Sequence, residues 1–259
     1  MEKLNSKYRA YFIGIVALAL VFTSPMTIYA GDLKIVDTNV TDETVIFEDI
    51  IEVVQQLNEQ IQSSFGEEIE NLSEEDLLKG VGFYTSQKVI ESLLVLKAKR
   101  MSLEYTQKLY DIPFESFIKI IPPHDWGLYL HKLLGRGISH VKRDTDGNII
   151  SQIERMILKG VPFNIDMTKA EIIAYEEGKI TVYWRVFASE NKSTLSDVGS
   201  VTFAKQEGKT SVIFRSAHQL GSNPIFECPI PNFPILQKEI MQTFLKHLES
   251  YKKRIANKS

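Results

Sequence analysis

Only one cysteine, Cys228, stands in 259 residues. The chain therefore cannot close an internal disulfide, and its stability has to come from packing. Excess charge is also missing: 30 Lys and Arg against 33 Asp and Glu leave a formal charge of −3. With no basic arm, that balance argues against a nucleic-acid partner. Signatures of familiar chemistry are absent as well. There is no GxSxG elbow, no P-loop and no dinucleotide fingerprint. The five histidines, His124, His131, His140, His218 and His247, form no HExxH and no Cys/His cluster. Neither a metal nor a cofactor is expected. Asp144-x-Asp146-Gly147 lacks the remaining ligands of a calcium loop and reads as a tight hairpin turn. Cys228 lies between Glu227 and Pro229 with no histidine nearby in sequence, a poor setting for a nucleophile.

Long hydrophobic runs are lacking too. The apolar stretch Tyr11–Phe22 is short of the roughly 20 residues that a membrane-spanning helix needs. Lys3, Lys7 and Arg9 precede it, and Thr23-Ser24-Pro25 and then Ala30 follow. That order is the one a secretory signal peptide has, so residues 1–30 are expected to be a leader and the chain to be exported, periplasmic or secreted. A retained membrane anchor is the alternative. A mature chain of this length can bury a sizeable interior without staples.

From 31 to 100 the pattern is mainly helical and acidic. Phe47, Ile50, Ile51, Val54 and Leu57 follow helical spacing, as do Val89, Leu93, Leu94 and Leu96. Ser73-Glu74-Glu75-Asp76 reads as a helix start, with Ser73 as cap and acids at the positive end of the dipole. Beyond 101 the period changes. Leu103, Tyr105, Gln107 and Leu109 alternate with Ser102, Glu104, Thr106 and Lys108, a half-buried strand. Two short helices follow, starting near Pro113 and His124. Strands are expected at about Ile150–Leu158, Asn164–Tyr175, Lys179–Ala188, Val198–Lys205 and Ser211–His218, joined by hairpin-length turns. The chain ends in an amphipathic helix from Pro234 to about Ile255. Leu236, Ile240, Phe244 and Leu248 recur along it every four residues, and this stripe must bury itself on the preceding sheet.

This order of strand, two short helices, meander and long terminal helix resembles the START-like (SRPBCC) superfamily. Several stretches carry the resemblance. Leu109–Phe117 looks like its first strand running into its first helix, and Trp126 falls in the second short helix. Gly160-Val161-Pro162-Phe163 looks like a GxPF corner, and Gly199–Phe203 with Gly208–Phe214 is similar to the last hairpin. The match covers about residues 101–259, with 31–100 as a helical extension. It implies an α+β helix-grip fold: an antiparallel sheet wrapped around the terminal helix, with an apolar cavity between them. Members commonly bind lipids, quinones, sterols or polyketides there, and some act on them.

Alternation selects the inward candidates. Val182 and Trp184 share one strand face, Val201 and Phe203 another, and Val212, Phe214 and His218 a third. Phe244 and Leu248 would face them from the terminal helix. These nine residues are the expected cavity lining. The favoured expectation is a carrier or sensor of a hydrophobic small molecule such as a lipid, without catalysis. The alternative is a cyclase or dehydratase using His218, Arg185 or Tyr183. The basic end, Lys252-Lys253-Arg254 with Lys258, suits a helix C-terminus and would also allow transient contact with a membrane surface.

Overall fold

The computed structural model of the chain describes residues 47–87, 101–130, 132–159, 164–191, 193–220 and 234–256. The expected leader, the helical spacing at Val89–Leu96, the Gly160–Phe163 corner and Cys228 lie outside the described residues. The elements are helix α1 (Ile50–Glu70), helix α2 (Glu74–Lys79), strand β1 (Val81–Gln87), strand β2 (Met101–Tyr110), helix α3 (Phe114–Ile120) and a 3-10 turn (Pro123–Tyr129). Strands β3 (Leu133–Arg143), β4 (Ile149–Leu158), β5 (Ile165–Glu176), β6 (Lys179–Ala188), β7 (Thr194–Gln206) and β8 (Lys209–Leu220) follow, and then helix α4 (Pro234–Ala256).

All eight strands join one antiparallel sheet in the order β1-β2-β8-β7-β6-β5-β4-β3. Strands β3 to β8 are a meander whose hairpins turn at Gly147, Gly178 and Gly208, each with positive φ. Strand β2 then pairs with the last strand, placing Ser102 opposite His218 and Glu104 opposite Ser216. Strand β1, inside the segment that reads as helical, extends the sheet beyond β2, with Phe83 opposite Tyr105.

Both faces of this sheet are covered. On the outer face α1 buries Val53, Val54, Leu57, Ile61 and Phe65 against Met101, Leu103, Tyr105, Val198 and Ala217. On the inner face α3, the 3-10 turn and α4 enclose a larger core with Phe117, Trp126, Trp184, Phe203, Phe214, Leu248 and Tyr251. The terminal helix is tied down by polar contacts as well. The Tyr110 hydroxyl donates to the Leu248 carbonyl (2.6 Å), and the Tyr251 hydroxyl to the Trp126 carbonyl (2.9 Å). Lys108 pairs with Glu249 at 2.8 Å and also donates to the carbonyls of Leu78 and Lys79. As expected, Ser73 caps α2, in a reciprocal capping box with Asp76.

Because α1 and the sheet share one core, Leu57→Ala should destabilise the whole domain by about 2–5 kcal/mol in a single cooperative urea transition. A separate early transition for the N-terminal helix would contradict that packing.

Candidate functional site

A cavity of about 130 Å³ lies between the inner sheet face and α4. Its apolar walls come from every inner layer: Trp126 on the 3-10 turn, Met156 on β4, Met167 on β5, Trp184 on β6 and Phe214 on β8. The two tryptophan rings stack at 4.9 Å between centroids. Gly199 on β7 makes room for this, because a Cβ there would collide with the Trp184 ring and the Arg215 carbonyl. Leu130, Leu158 and Ile165 complete the apolar wall, and the polar lining is Lys169, Thr194, Asp197, His218 and, from α4, His247.

Two buried charge clusters supply that polar part. In the first, Lys169 on β5 lies 2.8 Å from Glu154 and 2.9 Å from Glu171, all three side chains being almost wholly buried. Its ammonium also sits 3.8 Å from the Trp126 ring centroid, within cation–π range. Trp126 donates its indole N–H to Glu171 (2.9 Å), and Gln152 donates to the other oxygen (2.7 Å). Arg136 on β3 binds Glu154, Asp125 and the His124 carbonyl. Burial would strip the proton from Lys169, but the two carboxylates overcome that and hold it charged. Burial and the neighbouring Glu154 charge push Glu171 up to about 7, against the pull of Lys169.

In the second cluster, His218 on β8 lies 3.2 Å from Glu104 on β2 and is paired across the strand with Asp197 on β7. Asp197 in turn accepts from the Trp184 indole (2.8 Å) and the Ser216 hydroxyl (3.3 Å). Burial opposes charge on His218, yet Glu104, with Asp197 beside it, pushes the imidazole up to about 9. Burial likewise raises both carboxylates, in opposition to the His218 charge. At neutral pH His218 is thus an imidazolium, a hydrogen-bond donor and a poor base.

Of the residues expected to line the cavity, Trp184, Phe214 and His218 do so. Val182, Val201, Phe203, Val212 and Leu248 are fully buried in the surrounding inner core. The side chain of Phe244 lies outside the described residues. Tyr183 packs into the outer core, and Arg185, on the same side of β6, is reached by the charge of Asp49 at the start of α1. His218, Arg185 and Tyr183 are therefore not brought together. Sequence reasoning missed Lys169, Thr194, Asp197 and His247 in the lining, and Glu104, Glu154 and Glu171 behind it. Among the described residues no group of three or more His, Cys, Asp or Glu is arranged to hold a metal, and no helix is long and apolar enough to cross a membrane.

An antiparallel meander, β3 to β8, whose last strand returns beside β2, closed by a terminal helix over a cavity, decides the architecture. The chain has the START-like helix-grip fold. No protein-family model and no curated protein matches its sequence. Solved START-like structures resemble it in chain path. Human StAR-related lipid transfer protein 5 shares 9% identity at a TM-score of 0.49, over 80% of this chain and 98% of that one. A START superfamily protein from Mycobacterium smegmatis shares 10% at 0.46, over 61% and 99%. The ZhuI aromatase/cyclase from Streptomyces sp. R1128 shares 6% at 0.44, over 61% and 93%.

Two outcomes follow from the charge clusters. Lys169→Met leaves Glu171 without its cation and Glu154 with Arg136 alone, and should cost about 3–5 kcal/mol in urea unfolding. Lys205→Met, which removes an exposed pair with Glu115, should leave the urea midpoint nearly unchanged. Since His218 binds its proton more tightly folded than unfolded, its contribution is complete below its ordinary value of 6.5. That contribution is lost as pH rises toward about 9. The melting temperature should fall across that window, and His218→Gln should flatten the fall. An unchanged slope in the variant would refute the assignment.

Proposed function

We propose that the chain is a non-enzymatic binder of a hydrophobic small molecule, held between the inner sheet face and α4, and that it serves as a carrier or sensor. The observation that carries this is the aromatic and methionine wall of the cavity. Trp126, Trp184, Phe214, Met156 and Met167 present ring faces and soft thioethers to an internal space. The placement of the candidate catalytic groups supports binding over a cyclase-type reaction. His218 reaches the cavity as an already paired imidazolium, whereas Tyr183 and Arg185 lie on the other face. Export belongs to the same proposal and is supported by the leader-like order of residues 1–30. The exposed Lys252 and Lys253 near the end of α4 would favour brief contact with an anionic membrane surface during loading.

Both tryptophans of the chain line the cavity, which gives the test its readout. Titration with hydrophobic ligands of graded length should produce a saturable change in tryptophan emission. Native mass spectrometry of the purified protein should reveal a co-purifying apolar cargo. Met167→Trp, which fills the space, should abolish cargo uptake while leaving the far-UV circular dichroism unchanged. A protein that carries no cargo and gives no saturable response would sink the proposal.

A further inference from the structure

The polar part of the cavity is informative about the ligand because each cation in it is already held by carboxylates. His218 is held between Glu104 and Asp197, and Lys169 between Glu154 and Glu171. Four carboxylates surround these two cations, and the third cation, Arg136, is itself engaged by Glu154 and Asp125. A carboxylate or phosphate on the ligand would add negative charge to a site with no cation to spare at either cluster. An ammonium on the ligand would instead face Lys169 and His218, which both line the space. Charged ligands of either sign are therefore disfavoured.

Thr194 supplies the missing polar contact. It is 2% exposed and lines the cavity. Its hydroxyl has no hydrogen-bond partner among the described residues. A buried hydroxyl left unpaired is costly, and a hydroxyl can both donate and accept. The bulge between Thr194 and Ser196 turns Thr194 to the inner side of β7, the side that also carries Asp197. Size sets the other limit. A space of about 130 Å³ is on the scale of the roughly 150 Å³ apolar cavity that accepts a benzene ring.

We propose that this cavity takes a neutral, ring-sized molecule bearing a hydroxyl or carbonyl oxygen, with Thr194 as the hydrogen-bond partner of that oxygen. The inference rests on the binding role proposed above and names the class of ligand. The ring lies against the wall of Trp184, Phe214 and Met167, and its oxygen points toward β7. Phenols, cyclic alcohols and cyclic ketones share this chemistry.

Four matched probes test it by isothermal calorimetry on the full chain: 4-ethylphenol, ethylbenzene, 4-ethylbenzoate and 4-ethylbenzylamine. The phenol should bind most tightly, ahead of the hydrocarbon, with the carboxylate and the amine weakest. Thr194→Val keeps the shape and removes the hydroxyl. It should weaken the phenol by about fivefold to tenfold and leave ethylbenzene unchanged, while Thr194→Ser should restore the preference. If the carboxylate or the amine binds best, or if Thr194→Val leaves the phenol-to-hydrocarbon ratio unaltered, the inference is overturned. Binding of long hydrophobic ligands with none of the four probes would overturn it too, while sparing the broader binding role. Failure to take up any hydrophobic ligand would remove both.

Discussion

The ammonium of Lys169 has to be kept charged inside the protein, and much of the site is arranged around that requirement. A buried cation is tolerable only when opposite charge and hydrogen bonds replace its water. Glu154 arrives as its cross-strand partner on β4, and Glu171 lies two residues further along β5, on the same face. Trp126 covers the ammonium with its ring and anchors its own N–H on Glu171, which fixes the 3-10 turn over the sheet. Trp184 stacks on Trp126 and reaches Asp197, linking the first charge cluster to the one around His218. The orientation of the two rings that wall the cavity is thus set by charge pairing as much as by apolar burial.

A second constraint is that the sheet has no water-facing side over its central strands. Helix α1 covers one face and α4 the other, so β2 is buried at every position from Met101 to Tyr110. Polar side chains on such a strand must find partners in the interior. Glu104 finds His218, Gln107 finds Ser211, and Lys108 finds Glu249 and two carbonyls.

This explains what could and could not be read from the sequence. Alternation correctly grouped Val182 with Trp184, and Val212 with Phe214 and His218, because period-two patterning fixes which residues share a face. The long stripe of α4 likewise announced a helix in need of a partner. Alternation does not say whether the more polar face is wet. In β2 the set Ser102, Glu104, Thr106, Lys108 reads as solvent-facing, yet it points toward α4. Lys169 and Glu171 escaped for a related reason: their pairing depends on strand register, which a single sequence does not display. Thr194 was missed because the strand was expected to begin only at Val198, and a bulge near its true start sets the face on which Thr194 lies. Strand β1, Val81–Gln87, lacks a clean alternation and sits inside a helical context, so only its pairing with β2 reveals it.

The return of β8 to lie beside β2 also governs how the molecule can assemble. Gln107 and Ser211, hydrogen-bonded across that junction, are 104 residues apart in the chain. The meander from β3 to β8 can form from neighbouring hairpins, but β1 and β2 have no edge to join until β8 exists. Nor does α1 have its complete docking surface before then, since its outer core draws on both β2 and β8. Closing so long a loop before its contacts repay the lost entropy makes for slow, late commitment. During synthesis the first-made segments are therefore expected to wait for the last-made strand, with the cavity sealed only when α4 follows it.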